Sequence, residues 1–239
     1  MAALASAGTQ LALPVQLPDD AVFATYASGH NQEAVAALHK LLDAPTPPAP
    51  IYLWGSSGRG KTHLLHAMCA AASTLELQVA YLPLREFREA QHSSLLQGLD
   101  TYDLICVDDI DAVVDSKAWC VALFELYNRL TDNQHSRLLI SASCSATALQ
   151  CAVPDLRSRL QAATAFGLKP MDDTQRMNAL QAHANARGLE LEPEVAQFIV
   201  QRVSRDMHQL MQVLNQLDRA SMAQQRRLTV PFVKKTLHI

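Results

Sequence analysis

Ile51-Tyr52-Leu53-Trp54-Gly55-Ser56-Ser57-Gly58-Arg59-Gly60-Lys61-Thr62-His63-Leu64-Leu65-His66-Ala67-Met68-Cys69 joins a short apolar run to a glycine-rich loop and then to a second apolar run. The first four residues predict a strand and the last seven a helix. Between them the spacing G-x-x-x-x-G-K-T predicts a phosphate-binding loop. Glycines let bare backbone N–H groups approach a polyphosphate, Lys61 reaches its outer phosphates, and Thr62 offers a hydroxyl to Mg²⁺. The helix start adds the positive end of its dipole. Gly55, Ser56, Ser57, Gly58, Arg59, Gly60, Lys61, Thr62 and His63 are therefore the candidate binding residues for a nucleoside di- or triphosphate, ADP or ATP. The flanking strand and helix set the stretch apart from an ordinary glycine-rich turn.

Working outward, apolar runs without alternation recur at residues 79–82, 104–107 and 138–142, and residues 163–168 add a fifth strand. Strands of this kind, alternating with helical patterns, predict a parallel sheet covered on both faces. Helices are expected upstream of the prolines at 45, 47, 48 and 50, where Val35, Leu38, Leu41 and Leu42 share a face, and at about 84–98 and 119–130. The run at 104–107 ends in Asp108-Asp109-Ile110-Asp111. In a phosphate-loop fold, two carboxylates at a strand's C-terminal end are placed to hold a hydrated Mg²⁺ and orient an attacking water. Thr62 and Asp108 are the candidate metal ligands, and Asp109 is the candidate catalytic acid. The other reading is an acid-rich helix start serving the dipole. The fourth strand ends at the polar Ser143 and Ser145. Arg157 and Arg159, within Pro154-Asp155-Leu156-Arg157-Ser158-Arg159-Leu160, read on their spacing as a solvated helix face.

Lys169-Pro170 marks a boundary. Beyond it the pattern is helical: 173–187 stopped by Gly188, a helix opened by Pro193, one over about 206–224 with Leu210, Val213, Leu214 and Leu217 on one face, and a short one after Thr229. The expected division is a tail at 1–20, a phosphate-loop α/β domain at 21–169 and a small helical domain at 170–239. Within the tail, Gln10-Leu11-Ala12-Leu13-Pro14-Val15-Gln16-Leu17 is an apolar cluster with no neighbours to pack on. It reads either as a peripheral strand or as a linear peptide offered to another protein's pocket.

With 239 residues, 49% of them hydrophobic, the chain can bury a substantial core. Its formal net charge of −3 supplies no basic excess for general nucleic-acid binding. The five cysteines are scattered without C-x-x-C spacing, which suits buried thiols in a reducing compartment. No signal-peptide pattern and no apolar run of the roughly 18 residues a membrane span needs is present, so a cytoplasmic location is expected.

GSSGRGKTHLL, LICVDDID, VPDLRSRL and SRDMHQLMQVLNQLD together resemble the AAA+ module of the bacterial replication initiator DnaA. QLALPVQL near the start and LTVPFVKKTLHI at the end bring the chain nearest to Hda-type DnaA-related regulators. The chain ends where DnaA would begin its DNA-binding domain. The resemblance covers nearly the whole chain and implies a five-stranded parallel sheet followed by a helical lid. It implies that the N-terminal peptide, with Gln10, Leu11, Leu13 and Pro14, binds the DNA polymerase sliding clamp. It implies that Arg159 is an arginine finger acting on a neighbouring subunit, that Arg205 is the lid arginine sensing phosphates, and that Asn31 belongs to the loop lining the adenine pocket. Two departures stand out. Ser143 replaces an acidic sensor residue, and the acid pair lacks the glutamate of many AAA+ motors, so vigorous turnover is not expected.

These expectations converge on a nucleotide-binding regulator that attaches to the clamp and stimulates ATP hydrolysis by DnaA, inactivating it after initiation. DNA would be reached mainly through the clamp, and a homo-oligomer is open. The alternative class is a helicase-loader-type AAA+ ATPase, which an N-terminal helicase-docking domain would favour; the Gln-Leu-x-Leu peptide favours the clamp. A DNA-binding initiator fragment fits the mild acidity poorly.

Overall fold

The computed structural model describes residues 20–88 and 93–239; the expected clamp peptide at Gln10, Leu11, Leu13 and Pro14 lies outside them. Five parallel strands, β1 (Ile51–Trp54), β2 (Val79–Pro83), β3 (Leu104–Asp108), β4 (Arg137–Ala142) and β5 (Thr164–Gly167), form one sheet in the order β2-β3-β4-β1-β5. Ile51 is in register with Leu139 on one side and Thr164 on the other.

Successive strand residues point to opposite faces, and both faces are covered, which is why the strands read as continuous apolar runs. Tyr52, Ile105, Val107 and Ile140 pack against α3 (Lys117–Asn133) and α4 (Pro154–Ala162) through Leu123, Leu126, Leu156 and Leu160. Ile51, Leu53, Leu104, Cys106 and Leu139 meet Leu38 and Leu41 of α1 (Gln32–Asp43) and Leu64, Leu65 and Met68 of α2 (Lys61–Thr74). Each fully buried leucine contributes roughly 1.5–3 kcal/mol over its exposed state.

One expected element is corrected. Among the described residues, the segment expected as a helix at about 84–98 consists of turns and a short 3-10 helix at Ser93–Leu96. The Glu86 and Phe87 N–H groups donate to the carbonyls three residues back, Pro83 and Leu84, so the chain winds too tightly for an α-helix from the outset. Arg85 and Arg88 then pair with Asp109 and Asp115, while Leu84, Leu96 and Leu99 still enter the core.

After β5 four helices build a lid: α5 (Asp173–Ala186), α6 (Pro193–Arg202), α7 (Met207–Gln224) and α8 (Val230–Leu237). Their starts carry local caps. Asp172 and Gln175 form a capping box on α5, Pro193 occupies the first turn of α6, and Asp206 and Thr229 accept from backbone N–H groups of α7 and α8. The lid has its own core, in which Leu180 and Ala184 meet Val195, Ile199, Leu210, Leu214 and Phe232.

Candidate functional site

The loop after β1 turns back on itself at Gly58 and Gly60, whose φ angles of 75° and 82° are left-handed. A Cβ at Gly60 would lie 2.7 Å from a ring carbon of Tyr26, so the glycine also lets that ring close over the loop. At Gly58 a Cβ would lie 3.2 Å from Oδ2 of Asp206, the residue capping α7, which shows how closely the lid approaches the loop. Gly60 caps α2, so the N-terminal N–H groups of that helix face the loop. Lys61 is 8% exposed, and its Nζ donates to the carbonyls of Gly55 at 2.8 Å and Ser56 at 3.4 Å.

β3 delivers Asp108 beside the start of α2. Its Oδ2 accepts from Thr62 Oγ1 and from Tyr81 OH, both at 2.8 Å, and its Oδ1 from Ser141 Oγ. Burial and the neighbouring carboxylate raise the Tyr81 phenol's pKa far above its ordinary value, so it stays protonated and donates. Ser141 was not expected in the site. Its signal was a hydroxyl in the otherwise apolar fourth strand, which lies next to β3. Asp109 has a left-handed φ of 53°, a strained setting for a non-glycine residue; its N–H donates to Ser141 Oγ at 2.9 Å. Its carboxylate is held by Arg85 Nε at 2.8 Å. Asp111 accepts from both the N–H and the hydroxyl of Ser143, at 3.0 and 2.7 Å.

No group of three or more His, Cys, Asp or Glu residues able to hold a metal occurs among the described residues. Thr62 and Asp108 nevertheless suit Mg²⁺, which takes one or two protein oxygens and completes its octahedron with water and phosphate oxygens.

Loop and lid enclose a cleft of about 590 Å³. Its phosphate-loop side carries Ser57, Gly58, Arg59, Gly60, Lys61, Thr62 and His63, with Arg85, Asp109 and Ser143 beyond the strand ends. The opposite wall comes from the lid and is apolar at Met171, Ala179, Met207 and Met211, with the imidazoles of His183 and His208 beside them. Thr25, Tyr26 and Ala27 close a third side. This amino-terminal segment is fastened to α2, since the His63 Nε2 atom lies 3.0 Å from the Val22 carbonyl. Burial, the largest influence, pushes the His63 imidazole down to about 4 against the pull of that carbonyl. The Tyr26 phenol is raised by burial to about 12.

Other expected residues stand elsewhere. Gly55 and Ser56 do not line the cleft; their carbonyls receive Lys61. Asn31 does not line it either. Its amide donates to Tyr26 OH and the Lys169 carbonyl and accepts from the Lys169 N–H at 2.7 Å, so it steadies Tyr26 and the entry to the lid. Arg205, expected as the lid arginine, has a side chain that is 70% exposed, pairs with Asp173 at 3.0 Å and stands outside the cleft lining. His208, three residues on, lines the cleft instead, flanked by Met207 and Met211. A methionine pair at i, i+4 around a histidine was the signal available in the sequence. Arg157 and Arg159 lie exposed on α4, and neither forms an ion pair among the described residues.

Comparison with known proteins places this architecture. The chain is similar in structure to domain III of the Thermotoga maritima replication initiation protein DnaA, with a TM-score of 0.78 and 21% identity over 93% of this chain and 97% of that one. It is also similar to AMPPCP-bound DnaA from Aquifex aeolicus, with a TM-score of 0.65 and 21% identity over 77% of this chain and 60% of that one. A replication initiator DnaA bound to AMPPCP and single-stranded DNA matches with a TM-score of 0.68 and 17% identity, over 88% of this chain and 70% of the other. At such identities the likeness carries the fold alone. Family membership rests on the sequence: residues 17–168 match the bacterial DnaA ATPase domain, and residues 173–237 match the Hda lid domain. The first match spans well over half of the chain and the second nearly all of its lid, so the protein belongs to the bacterial DnaA ATPase-domain family, as an Hda-type DnaA-related AAA+ protein.

Proposed function

We propose that this protein binds ADP or ATP with Mg²⁺ in the cleft, attaches to the DNA polymerase sliding clamp through Gln10, Leu11, Leu13 and Pro14, and accelerates ATP hydrolysis by DnaA with Arg159, so inactivating the initiator. The observation that carries the reading is the exposed Arg159 on α4, outside the chain's own cleft and without an ion pair among the described residues, in a chain of the DnaA family. A guanidinium so presented is available to another molecule's phosphates.

In this reading the backbone N–H groups of the loop and Lys61 receive the outer phosphates, and the apolar lid wall with Tyr26 receives the base. Mg²⁺, held by Thr62 and Asp108, would neutralise phosphate charge. From the lid, His208 rather than Arg205 lines the cleft. The chain's own turnover would be weak, because Asp109, which would orient water, is paired with Arg85, and Ser143 is tied to Asp111.

The direct test is capture by immobilised sliding clamp and, separately, turnover of DnaA-bound ATP with clamp loaded on DNA. Clamp binding together with accelerated turnover is expected. Nucleotide-dependent binding to a replicative helicase, with no clamp binding, would shift the reading to a helicase loader.

A further inference from the structure

Away from the cleft two thiols touch. Cys120 on α3 and Cys151 in the segment between β4 and α4 have their Sγ atoms 3.4 Å apart. Cys120 is buried and Cys151 partly exposed. The Cys120 thiol donates to the Val114 carbonyl at 3.1 Å, and the same carbonyl accepts from the Ala152 N–H at 2.9 Å. Three pieces of chain thus meet at this point: the segment that leaves β3 through Asp109, the first turn of α3, and the segment that runs from Ser143 to the start of α4.

We propose that Cys120 and Cys151 are a redox-sensitive pair that closes into a disulfide when it meets a low-molecular-weight disulfide. Cys151, the accessible partner, attacks one sulfur of the oxidant as thiolate and expels the first thiolate, leaving a mixed disulfide. The Cys120 sulfur then attacks Cys151 Sγ, and its proton passes to the second departing thiolate. Two protein thiols are oxidised and one disulfide molecule is reduced to two thiols. The roles follow from access, and burial beside Cys151 keeps the Cys120 thiol above the ordinary range, which suits the resolving partner. Closing the pair to the S–S bond length of about 2.05 Å draws the segment before α4 against α3. Because α4 carries Arg159, oxidation is expected to weaken the stimulation of DnaA; this consequence rests on the proposed function, whereas the disulfide does not.

The test is incubation of the native full-length protein with oxidised glutathione, alkylation, and peptide mapping without reduction. A link between Cys120 and Cys151, reversed by dithiothreitol, is expected, with Cys69 and Cys106 unmodified. Cys120→Ala should stop at glutathione on Cys151, and Cys151→Ser should leave Cys120 unmodified. The wild-type map decides even if a variant folds poorly: absence of the link, or glutathione stably retained on Cys151, overturns the proposal. Turnover of DnaA-bound ATP is then compared for reduced and oxidised protein. Inhibition that dithiothreitol reverses and Cys151→Ser abolishes supports the coupling to α4, whereas equal stimulation rejects it. A reduced protein that gives no stimulation would count against the proposed function and leave the mapped disulfide standing.

Discussion

Asp20 Oδ2 accepts from Arg187 Nη2 at 2.6 Å and lies 2.9 Å from His183 Nδ1, so the chain just upstream of Thr25 and Tyr26 is fastened to α5 of the lid. All three side chains are largely buried. Removing the carboxylate leaves the Arg187 guanidinium and the His183 imidazole without their partner, and Asp20→Ala is expected to cost about 2–4 kcal/mol. Burial works against ionisation of Asp20, but the hydrogen bonds and charges of His183 and Arg187 outweigh it and hold its pKa below the ordinary value of 3.8. The contribution is therefore complete above that value and is lost as pH falls through the lowered one. Urea unfolding of both proteins tests this. A stability gap that stays constant from neutral pH into the acid range would rule it out.

A second pH dependence comes from His63 and runs in a different window. Its folded pKa is depressed from 6.5 to about 4, so the native state resists a proton that the unfolded chain accepts. Stability should be complete above pH 6.5 and decline between 6.5 and about 4, by about 1–3 kcal/mol. His63→Gln removes the titration, and its stability should be flatter between pH 7 and pH 5 without added nucleotide. Parallel declines for the two proteins would show that other groups carry the effect.

How much of this was legible in the sequence varied with the distance over which the signals act. The phosphate loop, the parallel strands and the lid helices were written locally, in spacing, apolar runs and caps such as Asp172 and Pro193. The turns after β2 were not, because Leu84, Leu96 and Leu99 keep an apolar pattern that turns bury as well as a helix would. The place of Arg205 was hidden for a related reason: Asp206 is the cap of α7, so Arg205 precedes the helix, and the cleft lining on α7 begins with Met207 and His208. The bond between Asp20 and His183 spans 163 residues and leaves no local trace.

The lid can be probed against the loop. Lys61→Ala removes a charge-assisted contact to phosphate worth about 1.5–3 kcal/mol, so ADP affinity should fall by roughly 10–150-fold. His208→Ala should weaken ADP or ATP binding more than Arg205→Ala, because only His208 lines the cleft. Calorimetry on the three variants checks both statements. Undiminished affinity in folded Lys61→Ala would refute the phosphate-loop assignment, and a larger loss at Arg205 would return the sensing role to that residue.

For the amino-terminal peptide, Leu11 and Leu13 are expected to fill an apolar pocket on the clamp, with Gln10 bonding at its rim. Burying two leucines is worth roughly 3–6 kcal/mol before ordering costs, enough to take a micromolar interaction beyond detection when both are lost. Surface plasmon resonance with immobilised clamp should show no binding by the Leu11→Ala/Leu13→Ala double variant. Normal binding would leave the peptide without that role.

Arg159 separates a protein that acts on another's ATP from one that spends its own. A planar guanidinium can grip two phosphate oxygens and stabilise charge developing in the transition state, and arginine fingers supplied in trans are worth on the order of 10³–10⁵ in rate in well-studied GTPases. Arg159→Ala should keep its fold, its nucleotide and its clamp binding, yet give little or no acceleration of DnaA-bound ATP turnover. Arg159→Lys should rescue poorly, since an ammonium lacks the fork. Arg157→Ala, two positions away on the exposed surface of α4, should lose far less. The competing explanation is that Arg159 only supports its own chain, where its charge is felt by Tyr127 of α3. In that case Arg159→Ala would melt earlier and its folded fraction would stimulate normally. Turnover assays on clamp-loaded DNA, paired with melting curves for all three variants, distinguish the two, and full stimulation by folded Arg159→Ala would eliminate the finger.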